Sequence, residues 1–196
     1  MRALMLTLLA LVVAFLVGSI PTGVIVARAK GVDLRKVGSG NIGATNVSRA
    51  LGGKWATLVL VADAAKGGVP VVLAGRLDVS AWLPALVGLC AVLGQIFSVF
   101  LRGRGGKGVA TSLGAGIALA PLPALACAGV FAVCFTFLRI ASIGSLAGVA
   151  AYPLFLWLFH LATWPRLTFA GAVFVLILAR HRENLARLCS GREYRA

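Results

Sequence analysis

The chain has 196 residues, 60% of them apolar and 12% charged, with 24 glycines and a mean hydropathy of +1.00. Soluble domains are about 45–50% apolar and about 25% charged, so this composition excludes a water-soluble globular domain and makes lipid the solvent. The charge is lopsided, 19 Lys and Arg against five acids; the stretches between charges leave no hydrophilic domain for nucleic acid, so the anions to expect are lipid headgroups and phosphorylated small molecules.

In chain order, no residue between Arg2 and Arg28 is charged, which is enough helix to cross about 30 Å. A cleaved leader also opens on a basic residue and an apolar stretch, but this stretch is longer and more of the same follows, so it reads as a first span. Gly18-Ser19-Ile20-Pro21-Thr22-Gly23 breaks or kinks that helix near its end. Lys30 to Lys54 is polar, Gly-rich and basic, and reads as a surface loop. Trp55 to Gly75 is a second span carrying Asp63 and Lys66, and Val79 to Leu101 a third. After the basic turn Arg102 to Lys107, the uncharged run Gly108 to Leu138 is interrupted by Pro121-Leu122-Pro123, so it is one long helix or a tight hairpin. Ile140 to Leu161 and Leu167 to Ala179 are the last spans. Cys90, Cys127 and Cys134 lie in apolar runs and Cys189 in a basic tail, which reads as core filling rather than a disulfide or metal framework.

Charge parity separates the two readings of the long run. A hairpin puts the basic loops, Arg139 and the tail on one side and only Arg2, Arg76 and Arg166 on the other, whereas one long helix divides the cations almost evenly. The positive-inside rule therefore selects the hairpin. The expected fold is an all-α integral membrane protein of seven transmembrane helices in one domain over residues 1–196, some helices short or broken, with the N-terminus outside and the C-terminus cytoplasmic. The hairpin arms, about 15 residues each, are short for a bilayer.

Polar residues collect on the cytoplasmic side. In Val37 to Arg49, Gly38, Gly40 and Gly43 let backbone N–H groups turn toward an anion, Ser39, Asn41, Thr45 and Asn46 add donors, and Arg49 adds charge. The three glycines spell GxGxxG, but the dinucleotide fingerprint needs a βαβ unit, and this segment lies between spans; a flexible connector is the plain alternative. Arg102 to Gly108, with Gly105, Gly106 and Lys107, offers three cations and free donors at a helix start. It is not a Walker A loop, since no Ser or Thr follows the lysine; a headgroup-binding stop signal is the other reading. Asp63 and Lys66, three apart, read as a structural ion pair joining their helix to a loop. Ser142 and Ser145 stand one turn apart at a helix start, where capping or packing is the default role. In Arg180 to Arg187, His181 and Asn184 are one turn apart and face one site. A histidine among arginines stays neutral at pH 7, as a general base must; a basic helix resting on anionic lipid is the alternative.

Together these segments resemble the bacterial acyl-phosphate-dependent glycerol-3-phosphate acyltransferases, the PlsY type, over nearly the whole chain. The resemblance rests on GSGNIGATN from Gly38 to Asn46, GGKGVAT from Gly105 to Thr111, Ser142 with Ser145, and His181-Arg182-Glu183-Asn184 with Gly191-Arg192-Glu193. Gln95 stands after Gly94 where that family usually has His, and Gln cannot carry a proton. The resemblance implies a multi-pass enzyme of the bacterial inner membrane with its site facing the cytoplasm. It would transfer a fatty acyl group from acyl phosphate to the 1-hydroxyl of glycerol 3-phosphate, giving lysophosphatidate and phosphate, the first acylation of phospholipid synthesis. Its partners would be those two substrates and membrane lipid, with no nucleic acid, no cofactor and no metal, and the chain is read as a monomer. By resemblance, His181, Ser39 and Asn184 are catalytic, and Gly38, Gly40, Asn41, Thr45, Asn46, Arg49, Gly105, Gly106, Lys107, Ser142 and Ser145 bind the substrates and their phosphates.

An acyl phosphate is a mixed anhydride, already activated, so the enzyme need only hold two phosphates together and orient one hydroxyl. The proton goes either to His181 or to the phosphate of the acyl phosphate itself. The His-x4-Asp signature of acyl-CoA enzymes is absent, since Pro165 and Ala186 stand five residues after His160 and His181. A small membrane transporter of organic phosphates is the alternative function; it accounts for the basic loops and for Asp63 and Lys66, but not for polar groups gathered on one side.

Overall fold

The computed structural model describes residues 1–195, and these form helices without strands. The first apolar stretch is broken where proline demands it: α1 runs Arg2–Ser19 and α2 Thr22–Arg28. The polar segment that follows is not only a loop. It holds a 3-10 turn, Leu34–Lys36, and an eight-residue helix, α3, Ala44–Leu51. Its glycine content masks the pattern that folds it, for Val47 is fully buried and Leu51 and Ala50 pack with Leu34, Ile42 and Val59 in a small satellite core.

Helix α4, Gly53–Gly75, carries Asp63 and Lys66. The third span is shorter than its hydropathy: α5 covers Leu83–Ile96, a 3-10 turn takes Val99–Leu101, and Val79 to Trp82 lie in the preceding turn. The long uncharged run divides into α6, Val109–Leu119, and α7, Pro121–Leu138, at the extended residue Ala120. A methyl on Gly116 would stand 3.4 Å from the Ala124 side chain; eight residues of continuous helix would separate those positions by about 12 Å, so the chain folds back. The arms are unequal, 11 and 18 residues, rather than matched. Helices α8, Ala141–Leu158, α9, Trp164–Arg180, and α10, Arg182–Cys189, complete the fold. Proline opens α5, α7 and α9 in the first turn, where its missing N–H costs nothing.

Five helical stretches among the described residues are long and apolar enough to cross a membrane: Arg2–Arg28, Gly53–Gly75, Leu83–Leu101, Pro121–Leu138 and Ala141–Leu158. Their surfaces invert the soluble pattern. On α1, Leu4, Met5, Leu8, Leu9 and Val12 face outward while Ala14, Gly18 and Ser19 are buried. Small residues inside let backbones approach, which is how helices associate when lipid is as apolar as leucine. A methyl on Gly114 would lie 1.9 Å from the Ala64 carbonyl oxygen, and one on Gly67 1.9 Å from that of Thr111, so α4 and α6 touch backbone to backbone. Gly114→Ala is therefore expected to push α6 off α4 and lower the thermal midpoint in detergent by the equivalent of about 1–3 kcal/mol, the usual cost of overpacking. An unchanged midpoint would mean that the two helices do not meet there.

The helix break in the first span leaves carbonyls that need donors in an apolar setting. Ile20 O accepts from Lys66 Nζ at 2.6 Å, and Ser19 O accepts from Ser98 Oγ. Lys66 also pairs with Asp63 at 2.7 Å and donates to Gln95 Oε1 at 2.6 Å, while Thr22 donates to Asp63. The intramembrane pair thus joins α4 to the α1–α2 break and to α5, as its spacing predicts for a structural pair.

Candidate active site

Backbone carbonyls of α5 shape the first wall of the site. Gly105 N–H donates to Ile96 O at 3.0 Å and Gly106 N–H to Gln95 O at 2.9 Å, and a methyl on Gly105 would stand 2.1 Å from Gln95 O. Both glycines are buried outside the cavity with their donors already used; they anchor the turn instead of offering it to a phosphate. The next residues do face the cavity. Lys107, Gly108, Val109 and Ala110 line it, Gly108 takes a left-handed conformation, φ +86°, and the first-turn N–H groups of α6 have no helical acceptor.

The second wall is the GSGNIGATN segment. Gly38 and Gly40 adopt φ +52° and +68° and stay outside the cavity, while Ser39, Asn41, Gly43, Ala44, Thr45, Asn46 and Arg49 line it. Asn46 is 1% exposed and its amide is spent on the loop: Oδ1 accepts from Ser39 N–H at 3.0 Å, and Nδ2 donates to Asn41 O at 2.8 Å and Val37 O at 3.0 Å. Asn41 turns its own Oδ1 onto the Ile42 N–H at 3.0 Å. These two side chains therefore hold the curve of the loop, and the groups left for a ligand are Ser39 Oγ, Thr45, Arg49 and the start of α3.

The third wall comes from the starts of α8 and α10. His181 and Asn184 are 2% and 5% exposed and line the cavity together, as their one-turn spacing predicts; Ser142 and Ser145, for which spacing alone gave capping or packing, line it too. Lys107 Nζ donates to Asn184 Oδ1. The Ser145 hydroxyl bonds back to Ala141 O at 2.8 Å. Burial lowers the Lys107 ammonium to about 8, partly offset by Glu193. Burial, then the nearby Lys107 charge, lowers His181 to about 4, so its imidazole is neutral at pH 7. His181 Nδ1 lies 2.8 Å from Ile177 O; a carbonyl only accepts, so Nδ1 carries the proton and Nε2 the lone pair. A group with this pKa is neutral but only a weak base at pH 7.

Two residues that line the cavity, Glu193 and Tyr194, lie outside the site set named from the sequence. Glu193 accepts from Ser142 Oγ at 3.0 Å, from Asn184 Nδ2, and from Arg187 Nε at 2.8 Å. The Arg49 and Arg187 guanidiniums lie 5.4 and 5.3 Å from the Tyr194 ring centre. An acid and an aromatic in a basic tail read as solvated, and only the fold brings Glu193 to Ser142 on α8 and Tyr194 to Arg49 on α3.

Beyond this polar end the cavity, about 350 Å³ in volume, continues between helices past Leu113, Ala128, Phe131, Val149, Tyr152 and Phe169. A chamber with cations and hydroxyls at one end and hydrocarbon along the rest fits a ligand that is anionic at its head and apolar in its tail. Among the described residues no group of three His, Cys, Asp or Glu is placed to hold a metal ion.

Comparisons with known proteins give the family of the chain. The glycerol-3-phosphate acyltransferase family model matches residues 8–191. A glycerol-3-phosphate acyltransferase of Thermus thermophilus is 49% identical over 189 residues, 94% of this chain and 92% of the relative. That of Aquifex aeolicus is 44% identical over 198 residues, the full length of both. The crystal structure of PlsY (YgiH), an integral membrane glycerol 3-phosphate acyltransferase, in its glycerol 3-phosphate form, superposes with a TM-score of 0.93 at 42% identity, covering 97% of this chain and 95% of that one; its lysophosphatidic acid form gives 0.90 at 40% identity. With family, length and fold in register, the chain belongs to the glycerol-3-phosphate acyltransferase family and is a membrane-embedded acyltransferase of glycerol 3-phosphate.

Proposed function

We propose that the acyl donor is an acyl phosphate, that the acceptor is the 1-hydroxyl of glycerol 3-phosphate, and that the products are lysophosphatidate and phosphate. The observation that carries this reading is a cavity whose polar end gathers two helix N-termini, at Gly43 to Thr45 and Gly108 to Ala110, with Lys107 and Arg49. Two helix starts and two cations suit two phosphates held side by side. The apolar reach then takes the acyl chain.

In this reading the new bond joins O1 of glycerol 3-phosphate to the acyl carbon, and the bond that breaks joins that carbon to the phosphate oxygen. The departing phosphate takes the hydroxyl proton and leaves as hydrogen phosphate, which balances the reaction without a covalent enzyme intermediate. The low basicity of His181 favours that acceptor; the His181 Nε2 lone pair orients the attacking hydroxyl. Lys107 and the α6 N–H groups stabilise charge gathering on the leaving phosphate, and Ser39, Thr45, Arg49, Ser142 and Ser145 fix the two substrates. The positive-inside distribution supports seven spans, with α6 and α9 as the short ones, the site facing the cytoplasm of a bacterial inner membrane, and a monomer in lipid as the working unit.

The test is to purify the protein in mild detergent and supply palmitoyl phosphate with labelled glycerol 3-phosphate, with palmitoyl-CoA in parallel. Labelled lysophosphatidate is expected from the acyl phosphate alone; product from the thioester alone overturns the donor. A tag fused after Ala196 is expected to stay hidden from an impermeant reagent outside intact cells, and labelling there overturns the orientation.

A further inference from the structure

The tail beyond α10 is folded back into the site. Gly191 takes φ +69° and Arg192 N–H bonds to Arg187 O at 2.8 Å, which reverses the chain and brings Glu193 to the start of α8. The Glu193 side chain is 5% exposed. Its Oε1 accepts from Ser142 Oγ and from Asn184 Nδ2, and its Oε2 accepts from Arg187 Nε. Of the two acids that line the cavity among the described residues, Asp63 is committed to Lys66, which leaves Glu193 as the carboxylate at the phosphate end.

A carboxylate among anionic substrates is costly unless it does something for a cation. An asparagine amide can present either end, and Glu193 can only accept. By taking the Nδ2 end it turns Oδ1 of Asn184 onto Lys107, where the ammonium donates to it. Ser142, Asn184 and Lys107 come from three separate parts of the chain; Glu193 ties Ser142 to Asn184, and Asn184 carries the link on to Lys107.

We propose that Glu193 is a positioning residue for acyl transfer: its carboxylate fixes the Asn184 amide so that Oδ1 faces Lys107, and it supplies the negative charge that keeps the Lys107 ammonium protonated beside the substrate phosphates. This rests on the reading of Lys107 as a phosphate ligand. The charged and titratable groups around Lys107 are Glu193 on the tail, Glu183 and Arg187 on α10, Arg180 at the end of α9, and the neutral His181. Hydrogen bonds from Asn184, Arg187 and Ser142 outweigh burial, which alone would raise it, and hold the Glu193 carboxyl below its usual range, so it is an anion throughout the working pH. The ammonium is the active form; activity is lost as pH rises through about 8, and removing the carboxylate brings that loss to lower pH.

The experiment measures kcat/KM against pH in detergent with palmitoyl phosphate and glycerol 3-phosphate. Glu193→Gln keeps the shape and removes the charge. It is expected to move the alkaline fall downward by about one pH unit and therefore to lower kcat/KM at pH 8 about fivefold. A tail with a merely structural role would lower the thermal midpoint and leave the alkaline fall in place, and that result overturns the proposal. The second arm swaps the charge. Asn184→Asp alone sets two carboxylates side by side and is expected to lose activity; in Asn184→Asp/Glu193→Gln the new aspartate faces Lys107 and the glutamine donates to it, and activity is expected to recover at least fivefold over the worse single variant. A double variant no better than that single overturns the proposal even where the single variants fold poorly. Near-normal turnover in Lys107→Ala is a different failure, which sinks the phosphate reading itself.

Discussion

Lys107→Ala is expected to lower kcat/KM for glycerol 3-phosphate by about 10²–10³, roughly 2.7–4 kcal/mol, the range found when one preorganised charge-stabilising donor is removed from a site. Among the described residues Lys107 is the only lysine lining the polar end, since Lys66 lies off the cavity and is bound to Asp63, Gln95 and Ile20 O. Alanine leaves the turn intact, because the turn hangs on Gly105 and Gly106 and their bonds to α5. The thermal midpoint is therefore expected to hold while turnover collapses. Lys107→Arg carries a fixed charge and is expected to lose the fall in rate near pH 8, whatever its absolute rate. Turnover close to wild type in Lys107→Ala at substrate well below KM sinks the phosphate assignment.

The parts legible in the sequence are those written in local pattern. Pro21 and Pro121 mark the breaks because the ring removes a helix donor at those very residues, and the pairs His181 and Asn184, Ser142 and Ser145, and Asp63 and Lys66 share faces because 3.6 residues make a turn. What depends on contacts distant in the chain was not legible. Glycines 105 and 106 look like phosphate donors until the carbonyls of Gln95 and Ile96 are found against them, and Asn46 looks like a ligand until its amide is traced into its own loop. Helix α3 is hidden because its apolar face is only four residues and the partner that buries it, Val59, lies on α4. Glu193 is 51 residues from Ser142; nothing within a window of sequence separates an acid that crosses back into the site from one that stays in solvent.

Lys66→Met is expected to destabilise the protein by about 3–5 kcal/mol, because removing one partner of a buried pair leaves the other charge uncompensated. The side chains of Lys66 and Asp63 are 6% and 3% exposed. Without Lys66, Asp63 keeps Thr22 and a distant Gln95 amide at 3.4 Å, and the Ile20 carbonyl at the α1–α2 break loses the shorter of its two donors, keeping the Thr22 N–H at 3.0 Å. Asp63→Leu/Lys66→Met removes both charges and is expected to recover much of the loss, as apolar replacements of buried ion pairs do, though not the part owed to Ile20 O. The site feels the same change. Gln95 accepts from Lys66 with its side chain and from Gly106 with its backbone, so the pair deep in α4 braces the turn that presents Lys107. Lys66→Met is thus expected to lower kcat beyond what its loss of folded protein explains, measured on the fraction still folded. A variant that is less stable but turns over normally when folded would separate the ion pair from the chemistry, leaving the α5 carbonyls alone to set the turn.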